Sequence, residues 1–206
     1  MKVLLLNGSP KANGNTALAL REMERVFAAE GVETEIIHVG NKDIRGCTAC
    51  VSCHTKGGGC VIDDLVNEVA AKFETCDGLV AASPVYYASA NGTLVSFLDR
   101  LFYSTSFPKT MKVGASVAVA RRGGCSATFD QLNKYFTIYE MPIASGLYWN
   151  SVHGAAMGEA EQDAEGLKVM RSLAKNMTFL MRSIALGKET YGLPEKESPV
   201  FTNFIR

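Results

Sequence analysis

The sequence of 206 residues contains no apolar run approaching the roughly 20 residues a membrane-spanning helix needs, so no membrane partner is expected. It has no excess of either charge. Lys plus Arg and Asp plus Glu both number 21, which argues against a nucleic-acid surface as the main partner. A signal peptide is not evident. The apolar start Met1–Leu6 is too short for one and passes at once into Asn7-Gly8-Ser9-Pro10, so it reads as a first strand. Without an export signal the expected location is the cytoplasm, where the six cysteines stay reduced and a disulfide framework is not expected. Internal repeats, low-complexity tracts and linkers are also missing. Residues 1–206 are therefore expected to form a single domain, with 190–206 as a C-terminal tail suited to packing on a partner subunit.

What is present is a regular alternation. Val3–Leu6 is a short continuous apolar run of the kind buried on both faces of a parallel sheet. A helix is expected over 16–29, with Leu20, Met23 and Phe27 at helical spacing, and a second strand over 33–39. An irregular stretch from 40 to 60 follows, long for a strand-to-helix loop and hence a functional candidate. Asp63 and Asp64 suit the start of a helix running to about Thr75, and 78–82 reads as a third strand. Leu94, Phe97, Leu98, Leu101 and Phe102 mark an amphipathic helix. A fourth strand is expected over 113–120, a helix over 127–139 and a weak fifth strand over 142–148. A last helix runs through Leu167–Ile184 and stops near Gly187. About five strand–helix alternations predict a parallel sheet covered by helices on both faces.

Ligands of such sheets bind outside the carboxyl ends of the strands. The first such loop, Asn7–Thr16, offers the hydroxyls of Ser9 and Thr16, the amides of Asn13 and Asn15, and the backbone N–H groups of a helix start. It is neither a Walker loop, which needs Gly-Lys-Ser/Thr, nor a Gly-x-Gly-x-x-Gly fingerprint. A single terminal phosphate suits it better, and a plain capped turn is the alternative. After the third strand comes Ser83-Pro84-Val85-Tyr86-Tyr87, aromatic where loops are usually polar. Its tyrosines either line a flat ring or belong to the core. After the fourth come Arg121, Arg122, Gly123, Gly124 and Cys125. The glycines permit close backbone approach to a ligand, and the arginines either face a phosphate or are solvated.

Taken together, the three loops give a resemblance. Gly8-Ser9-Pro10-Lys11 with Asn13, Gly14, Asn15 and Thr16, and Ser83-Pro84-Val85-Tyr86 followed by Leu98-Asp99-Arg100, resemble the two signatures of the NAD(P)H-dependent FMN reductase group of flavodoxin-like proteins. The resemblance extends to about Gly124. It implies a three-layer α/β/α flavodoxin-like fold with a five-stranded parallel sheet of order 2-1-3-4-5. It implies an oxidoreductase taking electrons from NAD(P)H through FMN to a small-molecule acceptor such as a quinone, and a homodimer or homotetramer. By the same resemblance Ser9, Lys11, Asn13, Asn15 and Thr16 would hold the FMN phosphate, and Pro84, Val85, Tyr86 and Tyr87 would contact the flavin. Arg121, Gly123 and Gly124 would border its other side. The sequence has no Ser/His/Asp or paired-carboxylate constellation, as expected where the cofactor carries the chemistry.

The most specific feature is Cys47-x2-Cys50-x2-Cys53-x6-Cys60. Four thiolates so spaced can fold around one soft metal centre: a [4Fe–4S] cluster, or zinc with three of them plus His54 or with all four. The compact spacing favours iron–sulfur over zinc, and a metal-free loop is the remaining reading. The motif resembles that of iron–sulfur flavoproteins, which share this fold group. That resemblance implies a cluster near the flavin and ferredoxin as electron donor; a non-enzymatic FMN-binding module is a third reading. Cys76 is expected to be a buried thiol, and Cys125, His38 and His153 are weaker candidates.

Overall fold

The structure, a computed structural model, describes residues 1–205. In chain order its elements are β1 (Lys2–Asn7), α1 (Asn15–Ala29), β2 (Glu33–His38), α2 (Ser52–Thr55), α3 (Leu65–Glu74), β3 (Gly78–Tyr86), β4 (Ser89–Ala90), α4 (Gly92–Ser104), β5 (Val113–Ala120), α5 (Cys125–Thr137), β6 (Ser151–His153) and α6 (Ala164–Tyr191). The strands lie in the order β2-β1-β3-β5-β6, all parallel, while β4 folds back antiparallel on the end of β3. With that two-residue arm set aside, this is the expected 2-1-3-4-5 order of a flavodoxin-like sheet.

The period of two along β1 divides the interior. Val3 and Leu5 face Met23 and Phe27 of α1 and Leu173 and Met177 of α6. Leu4 and Leu6 face Phe73 of α3, Leu94 and Phe97 of α4 and Phe136 of α5. Every residue of β5 is buried, as a strand covered on both faces must be. Among the described residues no helix is long and apolar enough to cross a membrane.

Three elements differ from expectation. The third strand does not stop at Ala82: it continues to Tyr86, with Pro84 in register opposite Val119. The last helix passes through Gly187 and ends at Gly192, where φ reaches 76°. A single helical glycine costs only about 1 kcal/mol, and packing overrides it. The fifth strand is Ser151–His153, not 142–148. The chain touches the sheet once at Ile143, opposite Gly114, then leaves it.

Asn150 explains that departure. It is fully buried, and its backbone has φ 46°. Its side-chain amide donates to the Ser116 carbonyl (3.0 Å) and accepts from the Gly146 N–H (3.1 Å). Residues 147–149 are thereby pushed outward as an exposed Leu-Tyr-Trp bulge, and the apolar pattern there imitates a strand. Removing one partner from a buried hydrogen bond costs about 1–3 kcal/mol. Asn150→Ala should therefore lose that much in urea unfolding, whereas Leu147→Ala, in the exposed bulge, should stay within about 0.5 kcal/mol of the parent.

Candidate functional site

Each parallel strand ends on the same edge of the sheet, and the connections leaving that edge build the candidate site. The loop after β1 is held from within. The Ser9 N–H donates to Asn7 Oδ1 (3.0 Å), and the Lys11 N–H donates to Ser9 Oγ (3.2 Å). From β2, His38 Nε2 lies 2.7 Å from the Ser9 carbonyl oxygen; since that oxygen can only accept, Nε2 carries the proton. Gly40, the first residue of the long loop, packs so closely that a Cβ there would stand 2.3 Å from Gly8 O and Ser9 C. The loop after β1 ends at α1, whose start has no side-chain cap. Its first N–H groups are therefore available to an anion.

A cavity of about 240 Å³ opens over this loop. Ser9, Lys11, Asn15 and Thr16 line one side, Pro84, Val85 and Tyr86 the second, and Arg121 the third. Two cations and no carboxylate border it, which suits a phosphorylated ligand. Gly154, Ala155 and Met157, from the loop after β6, close the remaining side. These three are not legible in the sequence, because the apolar pattern puts the fifth strand at 142–148, starting nine and ending five residues ahead of Ser151–His153, and so misplaces its carboxyl-end loop.

Not every expected contact residue borders this cavity. The Asn13 side chain accepts instead from Arg21 Nη1 (3.2 Å) on α1. Tyr87 is wholly exposed, and with Ala88 it forms the two-residue tip between β3 and β4, both at left-handed φ (51° and 57°) as a type I′ hairpin turn requires. Gly124 packs under that hairpin: a Cβ there would come within 2.8 Å of Val85 Cγ1 and 2.9 Å of the Ala88 Cα, and its φ is 94°. A Cβ at Gly123 would meet nothing within 4 Å. Asn15 borders the cavity, but its amide is occupied elsewhere. It donates to the Ala156 carbonyl (2.9 Å) and accepts from the Gly158 N–H (2.9 Å), so it clamps the loop after β6.

The four cysteines of the long loop share a second, smaller pocket with Arg100 and Ser104 of α4. No disulfide joins them. Among the described residues, no three His, Cys, Asp or Glu side chains stand close enough to hold a metal ion. The sulfurs therefore face a common space without converging on a point. The donor set still fits a thiophilic centre, since four thiols and no carboxylate line the pocket. His54 is not among its lining residues; its ring stacks edge-on against Tyr103, 4.6 Å between centroids.

The loop is anchored at its C-terminal end. Asn67 of α3 accepts from the Cys60 N–H and donates to the Cys60 carbonyl, both at 2.9 Å. Arg100, with 1% of its surface exposed, directs Nε and Nη2 at Cys60 Sγ (3.3 and 3.2 Å) and is paired with Asp64, the N-cap of α3. At the other end Cys47 and Cys50 are exposed, and Ala49 and Val51 adopt left-handed backbone (φ 52° and 50°), a strained conformation for residues with a Cβ. Hydrogen bonding from the Ser52 backbone holds the Cys50 thiol below its ordinary pKa.

The remaining candidates lie outside both pockets. Cys76 is buried, donates to the Lys72 carbonyl, and has its thiol pKa pushed up by burial. Cys125 opens α5, 3.9 Å from His153 Nε2. The His153 N–H donates to Asp163 (2.6 Å), which also caps α6.

Residues 1–156 match the model of the family described as NADPH-dependent FMN reductase. An iron–sulfur flavoprotein of Methanocaldococcus jannaschii is 34% identical over 192 residues, an alignment covering 89% of this chain and 99% of that protein. Among solved structures, RosB with bound 8-demethyl-8-formylriboflavin-5′-phosphate superposes with a TM-score of 0.73 at 18% identity, covering 100% of this chain and 94% of that one. A flavodoxin from the domain Archaea superposes with a TM-score of 0.56 at 13% identity, covering 86% and 99%. At these identities the two superpositions concern the fold.

The packing of Gly40 on the first loop gives a direct test. Gly40→Ala forces backbone against backbone, and overpacking of this kind costs about 1–3 kcal/mol. The variant should unfold at correspondingly lower urea concentration and bind phosphorylated ligands more weakly by calorimetry. Gly123→Ala, with open space around it, should change neither.

Proposed function

We propose that this chain, which belongs to the NADPH-dependent FMN reductase family, joins an FMN site at the carboxyl edge of its sheet to a [4Fe–4S] cluster held by Cys47, Cys50, Cys53 and Cys60. Family membership makes it an FMN-dependent oxidoreductase. The observation that carries the cluster is the shared pocket of the four cysteines, with a buried guanidinium directed at one of their sulfurs. The name of the M. jannaschii relative, an iron–sulfur flavoprotein, supports it.

Lys11, Arg121 and the uncapped start of α1 would receive the FMN phosphate, with Ser9 and Thr16 adding hydroxyls. Pro84, Val85 and Tyr86 would form the wall against the flavin ring. When bound, FMN exchanges electrons in pairs or singly and an iron–sulfur cluster exchanges them singly, so together they link a pair donor or acceptor to a one-electron carrier. The chain's own contribution is orientation: His38 fixes the Ser9 carbonyl, Asn15 fixes the loop after β6, and the end of β3 presents Tyr86. The proposed donor is a ferredoxin-type protein.

A second reading is favoured by the dispersed sulfurs: a cluster-free flavin reductase that takes a hydride from NAD(P)H and reduces a small acceptor such as a quinone. In either reading the exposed apolar residues of the tail, Val200, Phe201, Phe204 and Ile205, provide a surface for a second subunit.

Anaerobic purification followed by absorption spectroscopy and iron and sulfide assays separates the readings. Flavin with about four irons and four sulfides per chain supports the cluster, and flavin bleaching by reduced ferredoxin supports the donor. Flavin without iron, bleached by NADPH, selects the second reading. Lys11→Ala removes a charge-assisted hydrogen bond, worth about 1.5–3 kcal/mol, and should weaken FMN binding at least about tenfold in fluorescence titration. Asn13→Ala, whose side chain faces Arg21, should leave that affinity within about twofold.

A further inference from the structure

Arg100 is the largest of the fully buried side chains, and all its donors are engaged. Nη1 donates to Asp64 Oδ2 (2.5 Å) and the Arg45 carbonyl (3.2 Å). Nη2 serves Asp64 Oδ1 (3.0 Å), the Ile62 carbonyl (3.1 Å) and Cys60 Sγ (3.2 Å), and Nε also donates to Cys60 Sγ (3.3 Å). Five N–H groups therefore make six contacts with five acceptor atoms, and none is left for water. The guanidinium ties the segment before Cys47 to the segment around Cys60 and to the start of α3. A neutral thiol is a weak acceptor, and two N–H bonds from a buried cation suit a thiolate far better.

We propose that Arg100 is a positioning residue for the iron–sulfur centre: it fixes Cys60 as the anchored ligand and raises the reduction potential of the cluster through its two N–H···S bonds, with Asp64 moderating its charge. This rests on the cluster reading above. Hydrogen bonds to ligand sulfur withdraw charge and favour the more negative, reduced form. Asp64 acts oppositely, since its carboxylate neutralises part of the guanidinium charge. Lysine cannot replace the arginine, because an ammonium lacks the planar fork that reaches sulfur and carboxylate together.

The two side chains thus predict shifts of opposite sign. Wild type, Arg100→Lys and Asp64→Asn are purified anaerobically. FMN, iron and sulfide are measured per chain, and the cluster midpoint potential is taken from a redox titration followed by electron paramagnetic resonance. Asparagine retains the cap on α3, so Asp64→Asn tests the charge with the helix start preserved. The expected result is a potential shifted negative in Arg100→Lys and positive in Asp64→Asn, with FMN content unchanged. Arg100→Lys protein that retains FMN but assembles no cluster also supports the proposal, through the positioning of Cys60. If Arg100→Lys fails to fold, the Asp64→Asn shift decides alone. A full cluster at the wild-type potential in the variants that fold overturns the proposal and leaves the cluster reading standing. Wild-type protein that binds FMN but neither iron nor sulfide overturns both.

Discussion

Parallel pairing of β1 with β2 and β3, and of β3 with β5, sends all their carboxyl ends to one edge of the sheet. Helices must then cover both faces, and the strands must be apolar throughout, as β1 and β5 are. Chemistry-bearing residues are left to the loops at that edge, where backbone polar groups are not satisfied by the ladder. The cationic cavity forms where four of these loops meet. The cysteine loop starts from the same edge, and its first residue is pressed against the phosphate-type loop.

Loops so placed need partners for their backbone groups, and a few polar side chains supply them, some over long sequence distances. Asn15 reaches from α1 to the loop after β6, Asn67 brackets Cys60, and Asn150 bridges β5 to the bulge before β6. Arg100 does the same with a charge. Removing one member of such a buried pair costs about 3–5 kcal/mol, because the other is left uncompensated. The loops are irregular in path and yet fixed in position. The left-handed backbone of Tyr87 and Ala88, and of Ala49 and Val51, falls beside the two pockets, in keeping with strain held at functional sites.

The two pockets differ in chemistry. The first is open, bordered by two cations, and has an aromatic and proline wall. The second is small, lined by four cysteines with Arg100 and apolar side chains, and is hydrogen-bonded at Cys60 while exposed at Cys47 and Cys50.

Much of this was legible in the sequence. Hydrophobic period and turn residues placed four of the five parallel strands and the main helices, and the spacing of the cysteines marked the second pocket, because those features are local and each residue's role depends on its near neighbours. The tertiary structure decided what depends on distant partners. It moved the fifth strand to Ser151–His153 because Asn150 bonds Ser116, and it carried the last helix past Gly187. It tied the Asn13 side chain to Arg21 and the Asn15 amide to the loop after β6, and gave Gly124 a packing role beneath the hairpin. Most decisively, it buried Arg100 against Cys60. No spacing rule links residues 40 positions apart; only the packing of α4 beneath the cysteine loop brings guanidinium and sulfur together.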